Sequence, residues 1–139
     1  MSNIPKYTPV TSREDKRIDD VCVFFEKGLA RHQELGTFQV KSFTVQAGLM
    51  EDQKHHTDML NVEIDVDADE FFYLDHTGRP WTTPTGNAAM HVAYQLSLAY
   101  LELHPEYRIV VWDFWVIPAP GRKKVALPWP SEIEMQMFP

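Results

Sequence analysis

Only one cysteine, Cys22, occurs among the 139 residues of this chain. A single thiol excludes an internal disulfide and a cysteine-based zinc site, and it fits a reducing, intracellular setting. Glycine is also scarce. Gly78, Gly86 and Gly121 stand apart from one another, so there is no glycine-rich loop of the kind that cradles phosphate. No stretch approaches the roughly 18 apolar residues of a membrane span. The opening Met1-Ser2-Asn3-Ile4-Pro5 has no apolar run of the kind a signal peptide needs. The expectation is a soluble protein with no membrane partner, cytoplasmic or held inside a viral particle, and not secreted by a signal peptide. Basic residues are outnumbered as well: 13 Lys and Arg against 20 Asp and Glu leave a net charge of −7. That balance argues against direct nucleic-acid binding, which needs clustered cations to displace counterions.

What is present is the composition of a globular domain, 44% hydrophobic and 24% charged, at a length that buries one core without staples. The charge is uneven. Nine acids (Glu51, Asp52, Asp58, Glu63, Asp65, Asp67, Asp69, Glu70 and Asp75) lie in one segment with Lys54, while Arg122-Lys123-Lys124 forms a basic cluster near the other end. Opposite charges on two parts of a subunit suit head-to-tail assembly; an ordinary solvated surface gives the same pattern.

Periodicity divides the chain into an extended arm over residues 1–12, a single α+β domain over 13–127 and a Pro-rich tail over 128–139. Ser12 precedes Arg13-Glu14-Asp15 and reads as an N-cap. The helix it starts runs to Leu35 and stops at Gly36, with Ile18, Val21, Cys22, Phe25, Leu29 and His32 on one stripe and Phe24 off it. Residues 38–45 read as a strand whose alternation slips near Ser42-Phe43, and residues 48–57 as a polar loop with His55-His56. Over residues 59–67, Leu60, Val62, Ile64 and Val66 alternate with Asn61, Glu63, Asp65 and Asp67, the pattern of a half-buried strand. Residues 70–75 read as apolar strand or loop, Asp75-His76-Thr77-Gly78 as a turn, and residues 79–84 as irregular.

Residues 87–103 read as a helix capped by Thr85 and ended by Pro105. It carries more apolar surface than a surface helix needs. Ala89, Val92, Ala93, Leu96, Ala99, Tyr100 and Leu103 fall on one face; Met90, Tyr94, Leu98 and Leu101 fall on a second. His91, Gln95 and Glu102, with Ser97 in the seam, are left for water. Residues 107–117 read as a central strand covered on both faces, residues 123–127 as its hairpin partner, and Pro128 and Pro130 as sheet breakers. The fold class is therefore α+β: an N-terminal helix, an antiparallel or mixed sheet of four to five strands, and one central apolar helix packed on the sheet.

Chemistry is sparsely signalled. Glu63, Asp65 and Asp67 share a strand face at about 7 Å spacing. With His55 and His56 upstream they have the donors for Mg²⁺, Mn²⁺ or Ca²⁺ and for metal-dependent hydrolysis; a solvated acidic face is the plainer account. The run from Asp65 to Asp69 fails as a calcium loop, since Glu70 and His76 stand where Gly and Glu are required. Asp75-His76 with Ser97 or Thr77 lacks the exposed elbow of a nucleophile triad. Cys22 lies on an apolar stripe, where a thiol is inert packing. Asp113, between Trp112 and Phe114, calls for a partner such as Arg108, Arg79 or a helix end. Trp81, Trp112, Trp115 and Trp129 lack surrounding cations and read as core or interface.

The reading this supports is a non-enzymatic structural or assembly protein with no cofactor. It is expected to form a homo-oligomer or join other protein subunits through Met90, Tyr94, Leu98 and Leu101, with Trp129 and Phe138 in the tail docking on neighbours. Small ring-forming proteins of phage necks and tails have this size and economy, an analogy at the level of fold class. The alternatives are the metal-dependent hydrolase or nuclease above, and an acidic inhibitor that mimics nucleic acid through residues 51–75.

Overall fold

A computed structural model describes residues 10–52, 57–67, 71–116 and 124–137. The first helix, α1, spans Lys16–Glu34 and starts one turn later than a cap at Ser12 would place it. Asp15 is the N-cap, its carboxylate accepting from the Arg17 N–H at 2.9 Å. Ser12 instead opens the preceding turn, its hydroxyl accepting from the Glu14 N–H. The buried stripe is Ile18, Val21, Cys22, Phe25 and Leu29, and Gly36, at φ +81°, terminates the helix as expected.

Strands β1 (Ser42–Asp52) and β2 (Thr57–Asp67) pair antiparallel along their whole length. β1 thus lies further along the chain than residues 38–45, and much of the expected polar loop is strand. Local pattern loses here to cross-strand pairing: Leu49 sits opposite Leu60, and both are fully buried. Val10 of the arm bridges to Leu49 on the outer edge of β1.

Residues 79–84, expected to be irregular, supply a strand. β3 (Phe72–Leu74) and β4 (Pro80–Thr82) form a separate antiparallel hairpin. Helix α2 spans Pro84–Leu103, and its N-cap is Thr83 rather than Thr85: the Thr83 hydroxyl accepts from the Gly86 N–H, and Pro84 fills the first turn. β5 (Tyr107–Val116) then runs parallel to β2, and β6 (Val125–Ala126) returns antiparallel to β5. The result is a four-stranded mixed sheet in the order β1-β2-β5-β6. The tail is not wholly irregular, because Ser131–Met137 forms the short helix α3 and Ile133 is buried.

One core binds these elements. Leu60, Val62, Ile64 and Val66 of β2, with Val110, Trp112, Phe114 and Val116 of β5, point to the face on which α1 and α2 lie. The two helices approach closely where Gly28 meets Leu96 and where Phe24 packs edge-on to Tyr100 at 5.2 Å. β5 is therefore covered by helices on one face, not two. On its other face Val111, Asp113 and Trp115 are half-buried beside the β2 acids. No helix among the described residues is long and apolar enough to cross a membrane.

Candidate functional site

The open face of the sheet collects the acids, since a period of two sends every second residue of β2 there. Strand register lines them up in rows. Gln46, Glu63 and Asp113 form one row; Thr44, Asp65 and Trp115 form the next. Lys124, immediately before β6, closes over both. Its Nζ lies 3.0 Å from Asp65 Oδ2, 3.5 Å from Glu63 Oε2, and 5.8 Å above the centre of the Trp115 ring. The hydrogen bond to Asp65 and the two nearby negative charges hold the Lys124 ammonium above its ordinary range. Asp65 is buried, and its Oδ1 has no hydrogen-bond donor among the described residues.

Among the described residues Asp113 has no such cation. Arg79 stacks instead on Trp81, and the Arg108 side chain is outside the described set. Burial raises the Asp113 pKa, and the neighbouring Glu63 carboxylate raises it further. Beside this row lies a cleft of about 460 Å³ over Gly48, bounded by Arg13 and Glu63. The Arg13 guanidinium is already committed to Asp19 at 2.9 Å and Glu26 at 2.8 Å.

For metal chemistry, Glu63, Asp65 and Asp67 do share one face, but Lys124 sits on the first two. No group of three His, Cys, Asp or Glu stands ready for a metal ion among the described residues. His55 and His56 lie outside those residues, as do Phe138, Arg122 and Lys123. Cys22 is buried, and burial pushes its thiol pKa up, as befits core packing.

The second feature is the β3–β4 hairpin. Its tip is organised by Asp75, the residue paired with His76 in the triad reading. One Asp75 oxygen, Oδ1, accepts from the Thr77 N–H (2.8 Å), the Thr77 hydroxyl (2.6 Å) and the Arg79 N–H (3.0 Å); the other accepts from the Trp81 indole N–H at 2.8 Å. Those donors, the Thr77 hydroxyl first and the Trp81 indole next, hold the carboxyl well below the usual carboxylate range. The carboxylate is therefore a turn-building group, and Gly78, at φ +83°, completes the bend. At the root, Phe71 is fully buried between Phe38 and Phe114 at 6.1 and 6.0 Å. Its carbonyl accepts from the Thr83 N–H, and the Thr82 hydroxyl donates to the Pro128 carbonyl. Anchored at its root and stiffened internally at its tip, the hairpin holds Tyr73 and Leu74 55% exposed and Trp81 41% exposed.

The α2 residues read as an interface fare differently. Met90 is fully buried within the chain, so it belongs to this chain's own core. Ser97 is buried too, its hydroxyl donating to the Tyr94 carbonyl, rather than facing water. Tyr94 and Leu101 are partly buried against the core, which leaves Leu98 exposed. Trp129 packs on Trp112 with ring centres 5.2 Å apart. Sequence reasoning misses the hairpin and Lys124. The turn at Asp75–Gly78, flanked by Tyr73, Leu74 and Trp81, is the available signal for the first. Lys124 meets Asp65 across 59 residues of chain, and only tertiary pairing brings the two together.

Comparison with protein-family models, with curated proteins and with solved structures finds no match to this chain.

Proposed function

We propose that this protein is a non-enzymatic assembly subunit that associates with copies of itself, and that the β3–β4 hairpin is a contact surface. One observation carries this reading: Tyr73 and Trp81, paired across the strands, are held outward together, with Leu74 exposed on the opposite face, on a hairpin stiffened at its tip by Asp75 and rooted in the core by Phe71. Single exposed apolar residues are ordinary, but a prearranged apolar cluster marks a place where another molecule seats. Aromatic anchors that are fixed before contact lose little side-chain entropy on binding. A ring subunit of a larger particle is one form such an assembly takes. The hydrolase and mimic alternatives draw less support, because Lys124 lies over Asp65 and Glu63, two of the carboxylates both would use, and offsets part of their charge.

The test is native mass by light scattering. Wild type is expected at a multiple of 16.2 kDa. Tyr73→Ala with Trp81→Ala should lower it to 16.2 kDa with the circular dichroism spectrum unchanged, whereas Leu98→Glu should leave it unaltered. A folded wild-type monomer across the accessible concentration range contradicts the proposal.

A further inference from the structure

The hairpin has a chemical complement elsewhere on the molecule. The root residue Phe71 packs on Phe114, whose side chain points to the helix-covered side of the sheet. The open face carries the neighbours of Phe114, Asp113 and Trp115, which point the opposite way. The hairpin root and the open face thus lie on opposite sides of one sheet.

Their chemistry matches. The hairpin offers aromatic and aliphatic surface with one cation: the Arg79 guanidinium lies 4.6 Å from the centre of the Trp81 ring, with no carboxylate partner among the described residues. The open face offers half-buried Met50, Val111 and Trp115, with Glu63, Asp65, Asp67 and Asp113 against Lys124. Glu63 and Asp113 occupy paired positions on neighbouring strands, so two carboxylates stand side by side where a guanidinium would relieve their repulsion.

We infer that the hairpin of one copy docks on the open sheet face of the next, with Arg79 at Glu63 and Asp113 and Trp81 against the Val111–Trp115 surface. This rests on the assembly reading and specifies its geometry. The contact joins two different surfaces, so it is heterologous and generates a ring or a filament rather than an isologous dimer.

Two variants test it, one damaged on each surface. Arg79→Ala with Trp81→Ala removes the hairpin contacts; Glu63→Lys reverses a charge on the face, and Asn61→Lys adds a positive charge there at an exposed position if Glu63→Lys fails to fold. Each variant alone is expected to be a folded monomer. Mixed in equal amounts, they should form a dimer of twice 16.2 kDa and nothing larger, since one intact pairing remains. A mixture that stays monomeric, or face variants that assemble like wild type, overturns the inference while leaving the assembly reading standing. A wild-type monomer overturns both.

Discussion

Gly86 and Gly28 both sit in helices, where alanine is worth up to about 1 kcal/mol over glycine by propensity. Their surroundings separate them. A Cβ at Gly86 would strike the Phe71 carbonyl oxygen and come within 2.9 Å of Thr82 Cγ2. That carbonyl is fixed by the Thr83 N–H at 3.0 Å, so it cannot yield. A Cβ at Gly28 would meet the branched end of Leu96, with Cδ1 at 2.8 Å, and a side-chain end can turn away. Gly86→Ala should therefore cost about 1–3 kcal/mol, the usual range for overpacking, and Gly28→Ala distinctly less, as read from urea midpoints. Asp113 carries a second prediction at this scale. Burial first and Glu63 second raise its pKa, so the folded state favours its protonated form. Stability then falls as pH rises from the ordinary value of 3.8 through the raised one. In the non-associating Arg79→Ala, Trp81→Ala background, Asp113→Asn should raise Tm at pH 7 and lose that advantage near pH 4.

Elements show where sequence suffices and where it does not. β2 is legible because one face is buried and the other wet, which writes a period of two into Leu60, Val62, Ile64 and Val66. The helical stripe of α1 is legible for the same reason. β1 is misplaced by local pattern because Gly48 through Asp52 look like loop residues, and only pairing with β2 makes them strand. α2 is recognisable as a helix, but not which chain covers Met90; its full burial within one molecule answers that. The hairpin escapes because it depends on a side chain, Asp75, rather than on backbone periodicity, and isolated two-stranded hairpins are marginal without such help. Asp75→Ala should accordingly leave the main sheet intact and free the hairpin. Hydrogen exchange would show faster exchange at the Thr77 and Arg79 amides and no change along β2; equal acceleration in both would contradict the role assigned to Asp75.

At the scale of the whole molecule, helices cover one face of the sheet, acids and Trp115 line the other, and the hairpin is rooted by Phe71 on the helix side. The acidic segment is visible in sequence, and head-to-tail assembly is the expectation it raises. The basic complement visible in sequence is the Arg122-Lys123-Lys124 cluster, yet Lys124 is used within the chain, on Asp65 and Glu63. In the proposed assembly Arg79 on the hairpin takes over that role. The surface proposed to associate likewise moves from α2 to the hairpin, because Met90 and Ser97 face inward and Leu98 is the one exposed member of the four α2 residues that sequence reads as the interface, while Leu103 of the other face is exposed at the helix end. The most direct test is the native mass of wild type beside the Tyr73→Ala, Trp81→Ala variant at matched concentration. An oligomer reduced to a folded monomer of 16.2 kDa is the predicted result; a wild type that is itself monomeric, or an oligomer indifferent to loss of both aromatics, contradicts it.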